Sequence, residues 1–525
     1  MTFSRIRAIA ICTFMAIATI VSAAERPTIK AHTVASRALQ RISDNGKWAL
    51  GWGAETDQLS PVLIDIDANK AILLQTEADI QKHGMCLAYD ITDDGNIVVG
   101  TYETMPAYLN RSTGVWTKLP CSMVSGALHA VTPDGKLAVG TVANSDVSGI
   151  EYTSEQPAMW DLTTNKAIKL TGLPTISPDG LSLAYSYVRL VDISPDGRYI
   201  VGQILGTLYY TFVYDRESTN ALKWTIIGYT TTDGKKFTKT KSGLVEISPV
   251  SMSPNGNWLA LDARVSAQGD EFMCSARYNI ANNTLNIYNE KGDDLDMKAG
   301  CIDNEGNVYS ATPAGNPIRD FYVRSDGYWF SLSAILKQRY GMTFENATNF
   351  TNTGTPMGVS SDGMTFIGFS DPQFGENYTI RMNEKLVDIC TGLNLLGNYY
   401  ISPVSGSVFT KLNQIKITFD REVDIIGEQT AATFGEWSST STNGIALDPS
   451  DGKTIIVTFR SRTLEAGKSY TFTLPAGTIC IKGDKTRTNE DITATYNGRA
   501  NEPVKAQSIY PADGSILAKI DNSSS

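Results

Sequence analysis

A short pattern recurs seven times between residues 36 and 390. Each copy has an apolar residue, usually Ser or Thr, two turn residues, glycine, and then a β-rich run, as in ITDDGNIVVG from Ile91 and ISPDGRYIVG from Ile193. Successive turn glycines are 40 to 62 residues apart. They are Gly46, Gly95, Gly135, Gly197, Gly256, Gly306 and Gly363. Self-similarity at this spacing predicts an array of similar units.

The repeated pattern is typical of β-hairpins. Asp-Gly and Asn-Gly place glycine where a tight turn requires positive φ. A second strand pair follows most copies, as in PVLIDIDANKAILL from Pro61 and PAMWDLTTNKAIKL from Pro157, and TIRMNEKLVDI from Thr379 follows the seventh. Two hairpins give four strands per repeat, which predicts a seven-bladed β-propeller over residues 27–397. How the ring closes stays open.

The S-P-D-G turn before an apolar strand resembles the repeats of TolB-type propellers. The variant that ends in V-G and precedes a P-A-x-W-D strand is similar to propeller repeats of bacterial surface proteins. The resemblance covers roughly residues 36–390. It implies the propeller architecture and little about chemistry, because propellers include enzymes, binding proteins and scaffolds.

Insertions between the copies are expected to form surface loops. An extra ISPDG from Ile176 comes only 17 residues before the next copy, so we interpret it as a turn within an insertion. Another insertion contains LSAILKQRY (Leu332–Tyr340), which predicts a short helix.

The repeat ends near Asn398, and a second domain is predicted over residues 398–500. QIKITFD, TIIVTF and YTFTL each favour a strand. AGKSYTFTLPAGTI from Ala466 resembles a signature of bacterial Ig-like domains of the S-layer type, which implies roughly seven short strands in two sheets. IYPADGSILAKI repeats ISPVSGSVFTKL at an offset of 108 residues, so residues 501–525 are expected to begin a second, truncated domain of this kind. The whole chain is therefore expected to be all-β.

Residues 1–24 are typical of a secretory signal peptide. Arg5 and Arg7 precede an apolar stretch, and Val21-Ser22-Ala23 supplies the small residues of a cleavage site. A membrane anchor is the alternative, but the apolar run is short for one. We expect a periplasmic, cell-surface or secreted protein with no integral membrane segment after cleavage. Six cysteines would remain, as buried thiols or in one or two disulfides with fifteen possible connectivities: Cys86, Cys121, Cys274, Cys301, Cys390 and Cys480.

Charge and motif content narrow the function. The formal net charge is −10, which argues against nucleic acid as the main partner. Three histidines and no CxxC spacing predict no metal site and no cofactor. The acidic runs at 293–296 and 448–452 resemble calcium loops only superficially. G-x-S-x-G, H-E-x-x-H, P-loop and Rossmann motifs are absent from the sequence. The repeated turn acids are interpreted first as hairpin residues: Asp44, Asp93, Asp94, Asp134, Asp196 and Asp362.

Gln40, Tyr89 and His129 are the candidate binding residues, since each lies six positions before a turn glycine. The apolar residue two positions later shares their parity, so an innermost strand would direct all three into the central channel. Channel packing with water is the alternative. Trp116, Trp160, Trp224 and Trp329 could stack on sugars, but their strand positions favour packing between blades.

The sequence thus favours an exported, non-catalytic binding protein that holds a glycan or an extracellular protein on the propeller loops. One alternative is a polysaccharide-degrading enzyme, a lyase or glycosidase, at the channel mouth. Clustered buried acids with raised pKa in a cleft would favour that alternative. The other alternative is a structural component of the cell envelope.

Overall fold

The computed structural model describes most of residues 25–499. The described ranges are 25–32, 39–53, 60–121, 125–143, 155–183, 187–205, 208–267, 270–288, 297–311, 320–325, 328–371, 376–392, 399–419, 421–426, 431–439 and 444–499. The chain divides into two compact units, residues 1–393 and residues 394–525. The predicted signal peptide (1–24) and the predicted truncated domain (501–525) lie outside the described residues.

The first unit contains seven four-stranded antiparallel sheets, which are the blades of a propeller. β1 (Thr28–His32) precedes blade 1. Blade 1 has β2 (Leu39–Ile42), β3 (Trp48–Gly53), β4 (Ser60–Asp65) and β5 (Lys70–Leu73). Blade 2 has β6 (Leu87–Ile91), β7 (Ile97–Tyr102), β8 (Met105–Asn110) and β9 (Val115–Lys118). Blade 3 has β10 (Ser125–Val131), β11 (Leu137–Ala143), β12 (Glu155–Asp161) and β13 (Lys166–Ile168). Blade 4 has β14 (Tyr187–Ile193), β15 (Tyr199–Leu205), β16 (Tyr209–Asp215) and β17 (Trp224–Ile226).

The remaining blades follow a short hairpin of β18 (Tyr229–Thr230) and β19 (Thr238–Lys239). Blade 5 has β20 (Leu244–Met252), β21 (Trp258–Ala267), β22 (Asp270–Asn279) and β23 (Thr284–Ile287). Blade 6 has β24 (Lys298–Ile302), β25 (Val308–Ala311), β26 (Phe321–Ser325) and β27 (Tyr328–Ser331). Blade 7 has β28 (Thr355–Val359), β29 (Thr365–Asp371), β30 (Glu376–Arg381) and β1. The helices of this unit are α1 (Glu77–His83), α2 (Leu332–Tyr340), α3 (Phe344–Thr348) and α4 (Leu386–Gly392).

The ring closes through the N-terminal strand. β1 pairs antiparallel with β30 and is therefore the outermost strand of blade 7. His32 Nε2 lies 3.0 Å from Thr379 Oγ1, and the Leu39 N–H donates to Asn377 Oδ1 at 2.7 Å. The expectation of a second hairpin after Thr379 is wrong, because the chain turns at Met382 and enters α4. A strand from the other end of the propeller takes the fourth position.

The second strand of each blade is buried on both faces, as the apolar runs predict. On β7 the consecutive residues Val98, Val99 and Gly100 are all buried. A Cβ added at Gly100 would lie 1.7 Å from the carbonyl oxygen of Leu87, so the closing glycine permits a close approach to the inner strand. Packing then continues between blades, as where Met159 and Phe212 share one apolar cluster.

The insertions and cysteines also match their expectations. Leu332–Tyr340 is the predicted helix, α2, and the extra ISPDG forms a turn in which the Gly180 N–H donates to the Ser177 carbonyl. All six cysteines keep thiol side chains, and all except the half-buried Cys121 are buried. Burial raises the pKa of the Cys86 thiol to about 12. No helix among the described residues is long and apolar enough to cross a bilayer.

The second unit is a β-sandwich-like domain with more strands than expected. One sheet contains β31 (Tyr399–Ser402), β33 (Lys411–Phe419), β38 (Thr454–Thr463) and β37 (Ile445–Leu447). A five-stranded sheet contains β32 (Val408–Phe409), β42 (Ile492–Gly498), β39 (Ser469–Leu474), β35 (Thr433–Phe434) and β36 (Trp437–Ser438). A third sheet contains β34 (Val423–Ile425), β40 (Ile479–Ile481) and β41 (Asp484–Thr488).

The expectation of about seven strands in two sheets is therefore wrong for this unit. Twelve strands in three sheets are present among the described residues. Several of them are only two or three residues long, and these short strands account for the larger number. The three strands predicted from the sequence are correct. Leu412, Ile415, Ile417 and Phe419 of β33 form its buried face.

Candidate functional site

The inner strand of every blade carries a β-bulge near its end. The pairing register shifts by one residue between positions −7 and −5, counted back from the turn glycine, as between Ala88 and Asp90 in blade 2. The extra residue, at position −6, is Gln40, Tyr89 or His129 in blades 1 to 3. The bulge interrupts the simple alternation from which we predicted their direction.

The structure brings two of the three predicted residues together. The rings of Tyr89 and His129 lie 5.4 Å apart, edge to face, and His129 Nδ1 donates to the carbonyl oxygen of Leu190 at 2.7 Å. Both side chains are half-buried and connect blades 2, 3 and 4. Gln40 is an exposed residue of β2 in blade 1. Binding by these three residues stays a prediction.

Different residues line the mouth of the channel, where the seven turns converge. Most of them lie five, four or two positions before the turn glycines, and together they surround a space of about 70 Å³. The charged members are Arg41, Asp44, Asp90, Asp93 and Asp192. Their formal charge is one positive against four negative, so the mouth is acidic.

Arg41 connects two blades that are not neighbours in the ring. Its Nη1 donates to Asp192 Oδ2 at 3.2 Å, and the two side chains are only 23% and 15% exposed. The Coulombic attraction of Asp192 raises the pKa of the Arg41 guanidinium despite its burial. Asp192 Oδ1 also accepts the Ile193 N–H at 2.9 Å. The ion pair therefore fixes both side chains at the mouth.

Asp90 is bound to the backbone through both oxygens. Oδ1 accepts the Ile91 N–H, and Oδ2 accepts the Val131 N–H of the next blade, each at 2.9 Å. Burial raises the pKa of this carboxyl to about 6, although Arg41 and the two N–H groups lower it. The carboxyl of Asp90 thus connects blade 2 to blade 3 and has little capacity left for a ligand.

Asp93 takes part in a chain of contacts between neighbouring turns. Its Oδ1 accepts the Asn45 N–H at 2.8 Å, and its carbonyl oxygen accepts Asn45 Nδ2 at 2.7 Å. The Asp93 N–H donates to the Pro133 carbonyl at 3.2 Å, and the Ser361 N–H donates to the Asp44 carbonyl at 2.6 Å. These bonds join the turns of blades 7, 1, 2 and 3 around the mouth.

Asp44 differs from the other acids because its carboxyl has no hydrogen-bond donor among the residues that the structure describes. Burial raises the pKa of Asp44 to about 8, and the charges of Asp93, Asp90 and Asp192 raise it further than Arg41 lowers it. The group is therefore largely protonated at neutral pH. It is the one mouth carboxyl with both oxygens available in the described structure.

The hairpin interpretation holds for the acids one position before the glycine. In Asp94, Asp134, Asp196 and Asp362, Oδ1 accepts a Ser or Thr hydroxyl and the backbone N–H two residues later. Asp44 and Asp93 lie one position earlier and face the mouth. Their position, two residues before the turn glycine instead of one, was the sequence signal that distinguishes them from the turn acids. The interpretation of all six as hairpin residues missed this signal.

The other candidate features have structural roles in this structure. Trp160, Trp224 and Trp329 are buried, which confirms packing for these three, and the half-buried Trp116 stacks on Tyr102 with ring centroids 5.5 Å apart. Asp448 accepts hydrogen bonds from the Ser450 N–H and hydroxyl, as a turn residue does. The acidic run at 293–296 lies outside the described residues. Within the described ranges, no group of three or more acid, His or Cys side chains is arranged to hold a metal ion.

The comparisons with known proteins divide along the two units. Residues 399–498 match the family described as a bacterial Ig-like domain. These residues are a bacterial Ig-like domain. No curated protein matches the chain.

Solved structures resemble the propeller. TolB from Acinetobacter baumannii is 14% identical, with a TM-score of 0.32 over 67% of this chain, and the match spans 65% of that TolB chain. Oligogalacturonate lyase from Vibrio parahaemolyticus is 11% identical, with a TM-score of 0.42 over 69% of this chain and 98% of its own. The propeller domain of the Trilobed protease from Pyrococcus furiosus is 11% identical, with a TM-score of 0.36 over 66% and 93%. Likeness at this level carries no argument about fold or function, and the propeller is shown by its own seven sheets.

Proposed function

We propose that the protein is an exported, non-catalytic binding protein that presents its propeller mouth to a glycan or an extracellular protein. The observation that carries this proposal is the Asp44 carboxyl, which lines the mouth without a donor from the described residues. Asp44 is half-buried, so its carboxyl can be reached from the mouth, and an available acceptor in a charged recess suggests a partner that supplies the donor.

The size of the mouth indicates what enters it. A space of about 70 Å³ holds a few waters or one polar group, and a complete sugar ring or peptide does not fit. The ligand would therefore lie across the turn face and insert one group, such as a sugar hydroxyl or a lysine ammonium. Such a group would donate to Asp44 while Arg41 and Asp192 remain paired.

Polysaccharide cleavage is the second candidate, because one observation favours it. Two acids at the mouth, Asp44 and Asp90, have pKa values raised to about 8 and about 6, as expected of a general acid and its partner. Two further observations favour binding instead. The Asp90 oxygens are occupied by backbone N–H groups, and the mouth is too small for the bond to be cleaved.

The test is a glycan-array screen of the purified protein, with every retained glycan assayed for release of reducing or unsaturated sugar ends. We expect retention without cleavage, and up to about tenfold weaker retention by Asp44→Asn, because a hydrogen bond to a neutral carboxyl contributes about 0.5–1.5 kcal/mol. Asp134→Asn is the matched control, since Asp134 serves only its own turn.

The other outcomes decide between the remaining candidates. Cleavage that is lost in Asp44→Asn would replace the binding proposal with the enzyme. Absence of glycan binding, together with absence of captured extracellular protein, would favour a structural envelope component. Retention unaffected by Asp44→Asn would place the ligand elsewhere on the propeller.

A further inference from the structure

A second cavity lies between blade 5, blade 6 and the start of α4, and its lining residues are all different from those of the mouth. It has a volume of about 640 Å³, against about 70 Å³ at the mouth. Small-molecule sites typically measure about 300–1,000 Å³. The cavity can therefore hold a complete small molecule, which the mouth cannot.

The charge of this cavity is opposite to that of the mouth. Arg277 on β22, Arg324 on β26 and Lys385 just before α4 provide three positive groups. Glu305 and Asp388 provide two negative groups, so the formal balance is 3 − 2 = +1. A positive recess on a chain of net charge −10 is a local arrangement that overall composition does not explain.

Aromatic rings hold the two guanidinium groups in place. Arg324 lies 4.1 Å from the ring centroid of Tyr288 and 5.2 Å from that of Trp329. Arg277 lies 5.0 Å from the ring of Trp258, and its Nη1 donates to the Gly306 carbonyl at 2.7 Å. Stacked guanidinium groups lose little freedom when they bind an anion, so both are pre-organised.

Arg277 retains an unused donor. Its Nε is buried and has no acceptor among the described residues. A buried N–H without an acceptor costs free energy, and Arg277 is also one of the residues that line the cavity. A guanidinium group offers paired N–H groups that fit the two oxygens of a carboxylate.

The turn of blade 6 explains why Lys385 is positioned at this cavity. Here Asp303 replaces the usual Ser or Thr, and its Oδ1 accepts the N–H groups of Glu305 and Asn307 at 3.1 and 2.8 Å. Glu305, at the position whose side chain caps the turn in other blades, is thereby released. Its Oε1 instead accepts Lys385 Nζ at 2.6 Å. With side chains 29% and 52% exposed, this ion pair is weak enough to exchange for a ligand.

We infer that this cavity binds a small carboxylate-bearing molecule of one or two sugar rings in size. Arg277 and Lys385 would hold the carboxylate, and Arg324 would add positive charge. The Tyr288 hydroxyl and Asn307 provide polar groups for ligand hydroxyls, and Val308 and Val387 provide apolar walls. The inference is independent of the proposed function, because the mouth selects donors and this cavity selects an anion.

Isothermal titration calorimetry of the purified full-length protein with glucuronate, glucose and glutarate tests the inference. We expect glucuronate to bind and glucose to bind at least tenfold more weakly. Lys385→Gln should weaken glucuronate binding about tenfold, since charge-assisted hydrogen bonds are the strong ones. Glu305→Gln should tighten binding severalfold, because it removes the competing carboxylate. Lys136→Gln is the matched control, since Lys136 pairs with Asp134 at 2.7 Å in the turn of blade 3.

Each outcome is decisive. Glutarate binding as tight as that of glucuronate would support the site and widen its class to small carboxylates in general. Equal binding of glucose and glucuronate would overturn the inference, and so would absence of carboxylate binding at millimolar concentration. Unchanged affinity in Glu305→Gln would also overturn it, and this variant decides the matter if Lys385→Gln fails to fold. Failure here leaves Asp44 and the mouth unaffected.

Discussion

The junction between blades 1 and 2 and the junction between blades 5 and 6 are built alike but carry different charges. Asn45 donates its N–H to Asp93 Oδ1 at 2.8 Å and its side-chain amide to the Asp93 carbonyl at 2.7 Å. Asn255 makes the same two contacts with Asn304, at 2.7 and 3.0 Å. The amide of Asn304 therefore accepts the same hydrogen bond between blades 5 and 6 that the carboxylate of Asp93 accepts between blades 1 and 2.

This comparison separates structural acids from acids whose charge is available. Because Asn304 shows that the contact needs only an oxygen acceptor, the negative charge of Asp93 is not required for assembly. That charge raises the pKa of Asp44. Asp90 is the opposite case, since both of its oxygens accept backbone N–H groups. Of the four acids at the mouth, Asp90 and Asp192 thus bind backbone N–H groups or Arg41, whereas the fold does not require the negative charge of Asp44 or Asp93.

The largest expected effect comes from the structural acid. Asp90→Ala would leave the N–H groups of Ile91 and Val131 without acceptors and Arg41 with less negative charge nearby. Each unsatisfied buried group costs about 1–3 kcal/mol, so for the two N–H groups we expect a loss of about 2–6 kcal/mol. The melting temperature of the propeller measures it. Each kcal/mol corresponds to about 2–4 °C in melting temperature. A melting temperature within about 1 °C of the wild type, with Asp44→Asn measured in parallel, would show that Asp90 is not structural.

The closing strand β1, the outermost strand of blade 7, extends the comparison to His32. Burial lowers the pKa of His32 from its ordinary value to about 4. Below pH 6.5 the unfolded chain binds a proton that the folded His32 does not, so stability is present above pH 6.5 and is lost as the pH falls toward 4. Each pKa unit corresponds to 1.36 kcal/mol, so we expect a loss of up to about 3 kcal/mol.

Thermal melts of the wild type and His32→Gln between pH 7 and pH 4 measure this contribution. Glutamine does not titrate but can still bond Thr379. The wild type should lose more stability than the variant over this range. Parallel pH profiles of the two proteins would contradict a neutral, buried His32 on the closing strand.

Asp44→Asn should stabilise the propeller at pH 8 by at least about 1 kcal/mol. The pKa of Asp44 is raised in the folded state, so its contribution to stability is greatest below pH 4 and is lost as the pH rises through 8. Asparagine removes that loss. Chemical denaturation at pH 5 and pH 8 measures the difference, with Asp134→Asn as the control. A variant that is equally stabilised at both pH values would show that Asp44 titrates normally.

The smallest effect on stability is expected from Asp93→Asn. It reproduces the junction that Asn304 makes, so the free energy of unfolding should change by no more than about 0.5 kcal/mol at pH 5. Denaturation of Asp93→Asn at pH 5 measures this. A larger loss would break the equivalence of the two junctions.

The local architecture could be read from the sequence, and the long-range parts could not. The turn motif identified all seven blades, because a hairpin is specified by residues close in the chain. The pairing of β1 with β30 was not visible, since it joins Thr28 to Arg381 without any local signal. The bulge at Gln40, Tyr89 and His129 also had no signal, and it interrupted the alternation used to place those side chains. The mouth charges come from residues that only the closed ring brings together.

The most direct measurement is the titration of the Asp44 carboxyl carbon by NMR in the wild type and in Asp93→Asn. The structure predicts a wild-type pKa near 8 and a clearly lower value in the variant, because the charge of Asp93 contributes most after burial. A wild-type pKa near the ordinary value of about 4, unchanged in Asp93→Asn, would contradict the claim that Asp44 is a half-buried acid held available for a ligand.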